Sequence, residues 1–198
     1  MTGVQTCALP IFSDFLFDDQ SWTIRCLVVD VKRLKRLLER HDVVVAITAA
    51  DPPDWVNRKF HLRLTKEQVR NSPDVDTEKP VSRQQEIAMR EYFGRLAGWL
   101  DDAMFSPSQS MPAGTRYPVH EKGDAHLRSA WHLTGYQVVS TDGEIGRLEG
   151  FIMDESSWHI GYLDVKAGNW LQDRSVLVPT RWVKSVSWPD HRVTLHHP

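Results

Sequence analysis

The chain has 198 residues, 41% of them hydrophobic, and a formal net charge of −2. That length allows one large domain or two small ones, and the slight acidity speaks against a general nucleic-acid binder, which as a rule is basic. Two cysteines, Cys7 and Cys26, without CxxC spacing support neither a disulfide framework nor a zinc site, and a reducing cytoplasm is the simplest setting. The longest uninterrupted apolar stretch, Val43 to Ile47, is far short of the roughly 20 residues of a membrane span.

In chain order, Met1 to Ile11 reads MTGVQTCALPI, with no basic start and only a short apolar part, so it is a poor signal peptide. It resembles a translated sequencing-adapter fragment. Residues 1–11 are therefore expected to be non-native and carry no weight for the fold.

The next segment recurs later. Phe15, Asp18, Ser21, Trp22, Ile24 and Leu27 are identical to Phe151, Asp154, Ser157, Trp158, Ile160 and Leu163 at a constant offset of 136. Further on, Trp55, Phe60 and Leu62 fall opposite Trp188, Val193 and Leu195 at an offset of 133. Two matches in the same order predict an internal duplication. Between them, Val31 to Arg40 reads VKRLKRLLER, with Leu34, Leu37 and Leu38 at helical spacing and no glycine. The plain reading is a divergent loop or a sequencing error. The functional one is a basic amphipathic docking segment.

Thr65-Lys-Glu-Gln68 fits a capping box and predicts a short helix. Asn71 to Pro80 is a loop by composition. A second capping-box pattern, Ser82-Arg-Gln-Gln85, leads into a helix with Met89, Tyr92, Phe93, Leu96, Ala97 and Leu100 on one face. Ser106 to Gly123, rich in Ser, Pro and Gly, reads as a flexible linker.

The second copy predicts six short strands. Gln137 to Ser140 is followed by the turn Thr141-Asp142-Gly143, a hairpin signal. Arg147 to Met153 alternates imperfectly, with Leu148, Phe151 and Met153 as its apolar members. Trp158, Ile160 and Tyr162 are expected on one face of the next strand. A turn at Ala167-Gly168-Asn169 follows, then Val176 to Val178, Trp182 to Trp188 and Arg192 to His196. Six strands at this spacing predict a small barrel.

The run from Asp142 through Gly146 and Phe151 to Asp154, followed by Trp158-His-Ile160 and Gly168-Asn-Trp170-Leu, resembles the PRC-barrel family. That fold occurs in the cytoplasmic domain of the photosynthetic reaction-centre H subunit and in the ribosome maturation factor RimM. The chain is similar to bacterial proteins with two PRC barrels in tandem. The resemblance implies a mainly β fold of two small PRC-type barrels with a short helical linker region. Residues 12–64 would form the first barrel, incomplete because its opening strand is missing. Residues 65–123 would form the helical and flexible linker, and 124–198 the second barrel. An opening strand lost from the first barrel would leave an edge that invites another chain.

Chemistry is hard to find. His191, His196 and His197 lie near the end, but neighbours on a strand point to opposite faces and cannot easily share an ion. His120-Glu121 and His126 have no partner at ligand spacing. Asp18, Asp19, Asp154 and Glu155 occur at matching turns. Paired carboxylates can do acid–base work, but in tight turns they usually bind backbone amides and stay solvated. Trp22 and Trp158 are expected in the core or at a barrel seam, while Trp99 or Trp131 would mark an exposed contact surface. The expectation is a non-enzymatic protein with no catalytic, cofactor or metal residues, acting as a protein-binding or scaffolding module and self-associating through its barrels or the 82–100 helix. A ribosome- or RNA-associated factor is the alternative, supported only by the basic stretch with Lys32, Arg33, Lys35 and Arg36. A reaction-centre H-subunit-like role would rest on fold resemblance alone.

Overall fold

The computed structural model describes residues 12–31, 42–54, 56–57, 59–75, 88–89, 91–92, 126–167 and 174–196. Ten strands in these residues join in one sheet. They are β1 (Phe12–Asp18), β2 (Thr23–Asp30), β3 (Asp42–Ala46), β4 (Leu127–Ser129), β5 (Gln137–Ser140), β6 (Gly143–Asp154), β7 (His159–Ala167), β8 (Arg174–Pro179), β9 (Val183–Ser187) and β10 (Arg192–Leu195). The order is β4-β1-β2-β7-β6-β5-β10-β9, with β3 also on β2 and β8 also on β7. The fold is mainly β, and all six strands expected between residues 137 and 196 are present. Among the described residues, the short helices α1 (Lys66–Arg70) and α2 (Ala130–Leu133) accompany the sheet.

The hairpin after β5 closes as its sequence predicts. Ser140 pairs with Gly143 across the turn, and Gly143 takes a φ of 143°, which a side chain would resist. Gly146 is a close approach: a Cβ there would lie 2.0 Å from the carbonyl oxygen of Lys166 on β7. The predicted capping box at Thr65 is complete. The Gln68 amide N–H donates to Thr65 Oγ1, and the Thr65 amide N–H donates to Gln68 Oε1.

One expectation fails, for a clear reason. Trp158, Ile160 and Tyr162 do not share a face. Ile152 pairs with Tyr162 but Met153 with Ile160, so Gly161 is an extra residue on β7. This bulge flips the parity. Ile160, Leu163 and Val165 face the core, and Tyr162 faces out, 43% exposed. A second bulge at Glu149 on β6, where Leu148 pairs with Val165 and Gly150 with Asp164, explains the imperfect alternation of that strand.

The N-terminal strands repeat these irregularities. Leu16 pairs with Cys26 but Phe17 with Ile24, and Phe12 pairs with Val29 but Asp14 with Val28. Adding 136 to each number gives the two bulges of the β6–β7 pair. The match continues at the offset of 133. The bridges Ala50↔Leu62 and Asp54↔Lys59 correspond to Val183↔Leu195 and Ser187↔Arg192. Trp55 and Gly168-Asn-Trp170 lie outside the described residues, as do the Val31–Arg40 stretch beyond Val31, the Ser82 capping box, most of the 82–100 helix and the Ser106–Gly123 segment.

β4 is not part of the β5–β10 set. Leu127, Arg128 and Ser129 pair with Asp18, Phe17 and Leu16. The edge of β1 is thus filled at this end by a strand that precedes the C-terminal unit in sequence. One buried cluster runs through both halves, from Leu16, Phe17 and Val44 to Leu163 and Val193, and takes in Val69, Val75 and Met89.

Candidate interaction surface

The two matching turns fix their geometry with one carboxylate each. Asp18 Oδ1 accepts the amide N–H groups of Gln20 at 3.0 Å and Ser21 at 2.7 Å. Asp154 Oδ1 accepts those of Ser156 at 3.1 Å and Ser157 at 2.8 Å, and both serine hydroxyls as well. These hydrogen bonds, chiefly from the Ser156 and Ser157 hydroxyls, hold the Asp154 carboxyl down to about 2. Each turn ends in a tryptophan with a left-handed backbone, Trp22 at φ 53° and Trp158 at φ 56°. That conformation costs roughly 1–2 kcal/mol for a residue with a side chain, and the carboxylate-bound turn enforces it.

The two tryptophans join the halves. Ile24 N–H donates to Trp158 O at 2.9 Å, and Ile160 N–H donates to Trp22 O at 2.7 Å. The exchange is reciprocal at the 136 offset, around the single pair Thr23↔His159. It has the form of a two-fold contact, in which residue i meets j and j meets i. Trp22 is buried, and Trp158 packs on the core beside Phe60 at 6.5 Å between ring centroids. Both therefore hold the seam.

Asp19 departs from the solvated-turn expectation. Its carboxylate is buried, and it accepts from Arg128 Nε at 2.7 Å while His126 Nδ1 lies 2.9 Å from its other oxygen. Arg128 is itself only 4% exposed. The separation of more than 100 residues hid this pairing from sequence spacing. So did that of Asp14, which accepts the Trp131 N–H at 2.9 Å and the Ser129 hydroxyl, while Ser129 Oγ caps α2 through His132 N–H. Gly150 stands in the matching place of the C-terminal unit, so this tie belongs to the N-terminal one.

The remaining candidates are dispersed. His191 packs in an aromatic group with Tyr136, His132 and Trp188. His196 is exposed, and its N–H donates to Trp182 O. His120, Glu121, His197 and Trp99 lie outside the described residues. Among the described residues no three His, Cys, Asp or Glu side chains are grouped to hold a metal ion, and no helix is long and apolar enough to cross a membrane. Cys26 is fully buried. Trp131 is 77% exposed.

Further exposed hydrophobic residues lie on the outer face of β6, β7 and β8. Ile152 is 47% exposed and sits directly opposite Tyr162. Leu177, at 52%, follows on β8 opposite Asp164. The matching residues of the N-terminal unit are Leu16, Cys26 and Val44, each at most 1% exposed. Residues 130–196 match the family model of the PRC-barrel domain. This part of the chain is a PRC-barrel domain. A comparison with curated proteins returned no match. The exposed Ile152–Tyr162–Leu177 surface belongs to the PRC-barrel domain, and the edge strand of its open side is β8, which pairs with β7 alone among the described residues. A signal for this surface was present in the sequence. Cys26-Leu-Val28 is apolar throughout, whereas Tyr162-Leu-Asp164 sets a polar side chain on either side of the buried Leu163.

Proposed function

We propose that the chain is a non-enzymatic protein-binding module built from two PRC-type barrels in tandem, the first incomplete, and that its PRC-barrel domain carries the docking face. The observation that supports this reading is the contrast at matching positions. Ile152, Tyr162 and Leu177 are exposed where Leu16, Cys26 and Val44 are buried. Large apolar side chains left exposed close together on one sheet face favour a contact site. The matched bulges and the reciprocal Trp22–Ile160 and Trp158–Ile24 bonds support the tandem arrangement. The partner is a protein, a second copy of the chain included. The ribosome-associated alternative rests on Lys32 to Arg36, which lie outside the described residues, and the net charge of −2 weighs against it.

The test is affinity capture from an extract of the source cells with the full chain as bait. A defined partner that is retained by the wild type and lost by Tyr162→Asp is the expected result. Capture that Tyr162→Asp leaves unchanged would sink the assignment of this face.

A further inference from the structure

The outer edge of β8 has a filled counterpart within the same molecule. Along the matching edge of β3, Val44 N–H donates to Pro73 O at 3.0 Å and Val75 N–H donates to Asp42 O at 3.1 Å. The β2–β3 and β7–β8 registers agree, so Asp42 and Val44 correspond to Ser175 and Leu177. The backbone groups of Ser175 and Leu177 therefore point away from β7. No described residue pairs with them. Val43 and Val44 are fully buried beneath this cover, whereas Val176 is 40% and Leu177 52% exposed.

We infer that the edge of β8 pairs antiparallel with β8 of a second copy of this chain, around a two-fold axis at Val176. This deepens the protein-binding reading above and rests on it. In that register Ser175 of one copy faces Leu177 of the other, and the two residues exchange N–H···O bonds in both directions. Three observations favour a second copy. An antiparallel edge is self-complementary by geometry. The strand Arg174-Ser-Val-Leu-Val-Pro179 has one charge, at its first residue, so antiparallel pairing sets the two Arg174 side chains at opposite ends and avoids like charges face to face. The interior of the strand also lacks the lysine, proline or bulge that usually guards an exposed edge. Pairing would set the two Leu177 side chains beside Ser175 of the opposite copy and merge the two Ile152–Tyr162–Leu177 faces into one apolar surface.

Sedimentation of the full chain tests this directly. The expected wild-type mass is twice the 22.8 kDa of one chain, and Leu177→Lys, a change at an exposed site, should give a monomer with an unchanged circular dichroism spectrum. A second variant checks the register. With Cys7→Ser as background, Val176→Cys places two thiols across the axis with Cβ atoms about 4.5–5.5 Å apart. Added diamide takes up the two protons and two electrons, and a disulfide-linked dimer should form. A wild-type monomer, a dimer that Leu177→Lys leaves intact, or a Val176→Cys chain that does not cross-link each overturns the inference. A monomer that still captures a Tyr162-sensitive partner overturns only this step and leaves the docking face of the PRC-barrel domain standing.

Discussion

β2 and β7 occupy matching places but are built for different surroundings. In β2, Cys26, Leu27, Val28 and Val29 are all buried. In β7, Leu163 and Val165 are buried while Tyr162 and Asp164 are not. β3 and β8 repeat the contrast, with Val43 to Ala46 fully buried against an exposed Val176 and Leu177. Strands covered on both faces read as continuous apolar runs, and strands covered on one face alternate. The N-terminal unit has taken up cover from elsewhere in the chain: β4 on the edge of β1, residues 73–75 on the edge of β3, and Val69 and Met89 in its cluster. The PRC-barrel domain has no such cover among the described residues. Matching strands are closed on both faces in one half and open on one face in the other, and the difference lies in the outward side chains.

The contrast can be broken most forcibly at the N-terminal cover. Arg128→Ala removes the buried partner of the Asp19 carboxylate and leaves it only the part-exposed His126. It should cost about 3 kcal/mol in chemical denaturation, since breaking a buried pair leaves a poorly compensated charge. Glu155, the matching residue of the PRC-barrel domain, is exposed, and Glu155→Ala should move the same midpoint little. A loss for Arg128→Ala no larger than that for Glu155→Ala would show that β4 is not held as described.

Next in size is a paired truncation. Leu16 is 1% exposed and Ile152 47%. Leu16→Ala should cost about 3 kcal/mol, because it removes buried methyl groups and leaves a cavity. Ile152→Ala should cost about 1 kcal/mol or less by the same assay, since much of that side chain already meets water. Equal losses would remove the asymmetry on which the docking face rests.

The smallest expected effect concerns acid. Asp154 has a folded pKa of about 2 against an ordinary 3.8. A depressed carboxyl stabilises the folded state fully above the unfolded value and loses that contribution as pH falls towards the folded one. The turn before β7 should therefore weaken between pH 3.8 and about 2. Carboxyl titration followed by NMR should place the Asp154 midpoint near 2, and Asp154→Asn should flatten the dependence of stability on pH in that window. A midpoint near the ordinary value would mean that the Ser156 and Ser157 hydroxyl bonds are not formed in solution.

Much of the fold was legible because its signals are local. The Asp-Gly hairpin, the Thr65 capping box and the six strands of the PRC-barrel domain follow from residues a few positions apart. The face of Tyr162 was misread because a bulge at Gly161 changes parity by one residue, and alternation alone cannot register an inserted residue. The ties of Asp14 to Ser129 and Trp131, and of Asp19 to Arg128, span more than 100 residues, so no spacing rule could find them.

The sequence by itself determined that a residue pattern recurs at fixed offsets, which turn acids and tryptophans recur with it, and that the C-terminal part resembles a PRC barrel. These follow from side-chain chemistry repeated at a fixed offset. Only the tertiary structure decided that β4 belongs to the edge of β1, that the two Trp turns meet reciprocally, and that Ile152, Tyr162 and Leu177 stay open where Leu16, Cys26 and Val44 are closed. The reason is physical. A strand carries the pattern of what it can bury, but what covers it comes from distant parts of the chain or from another molecule.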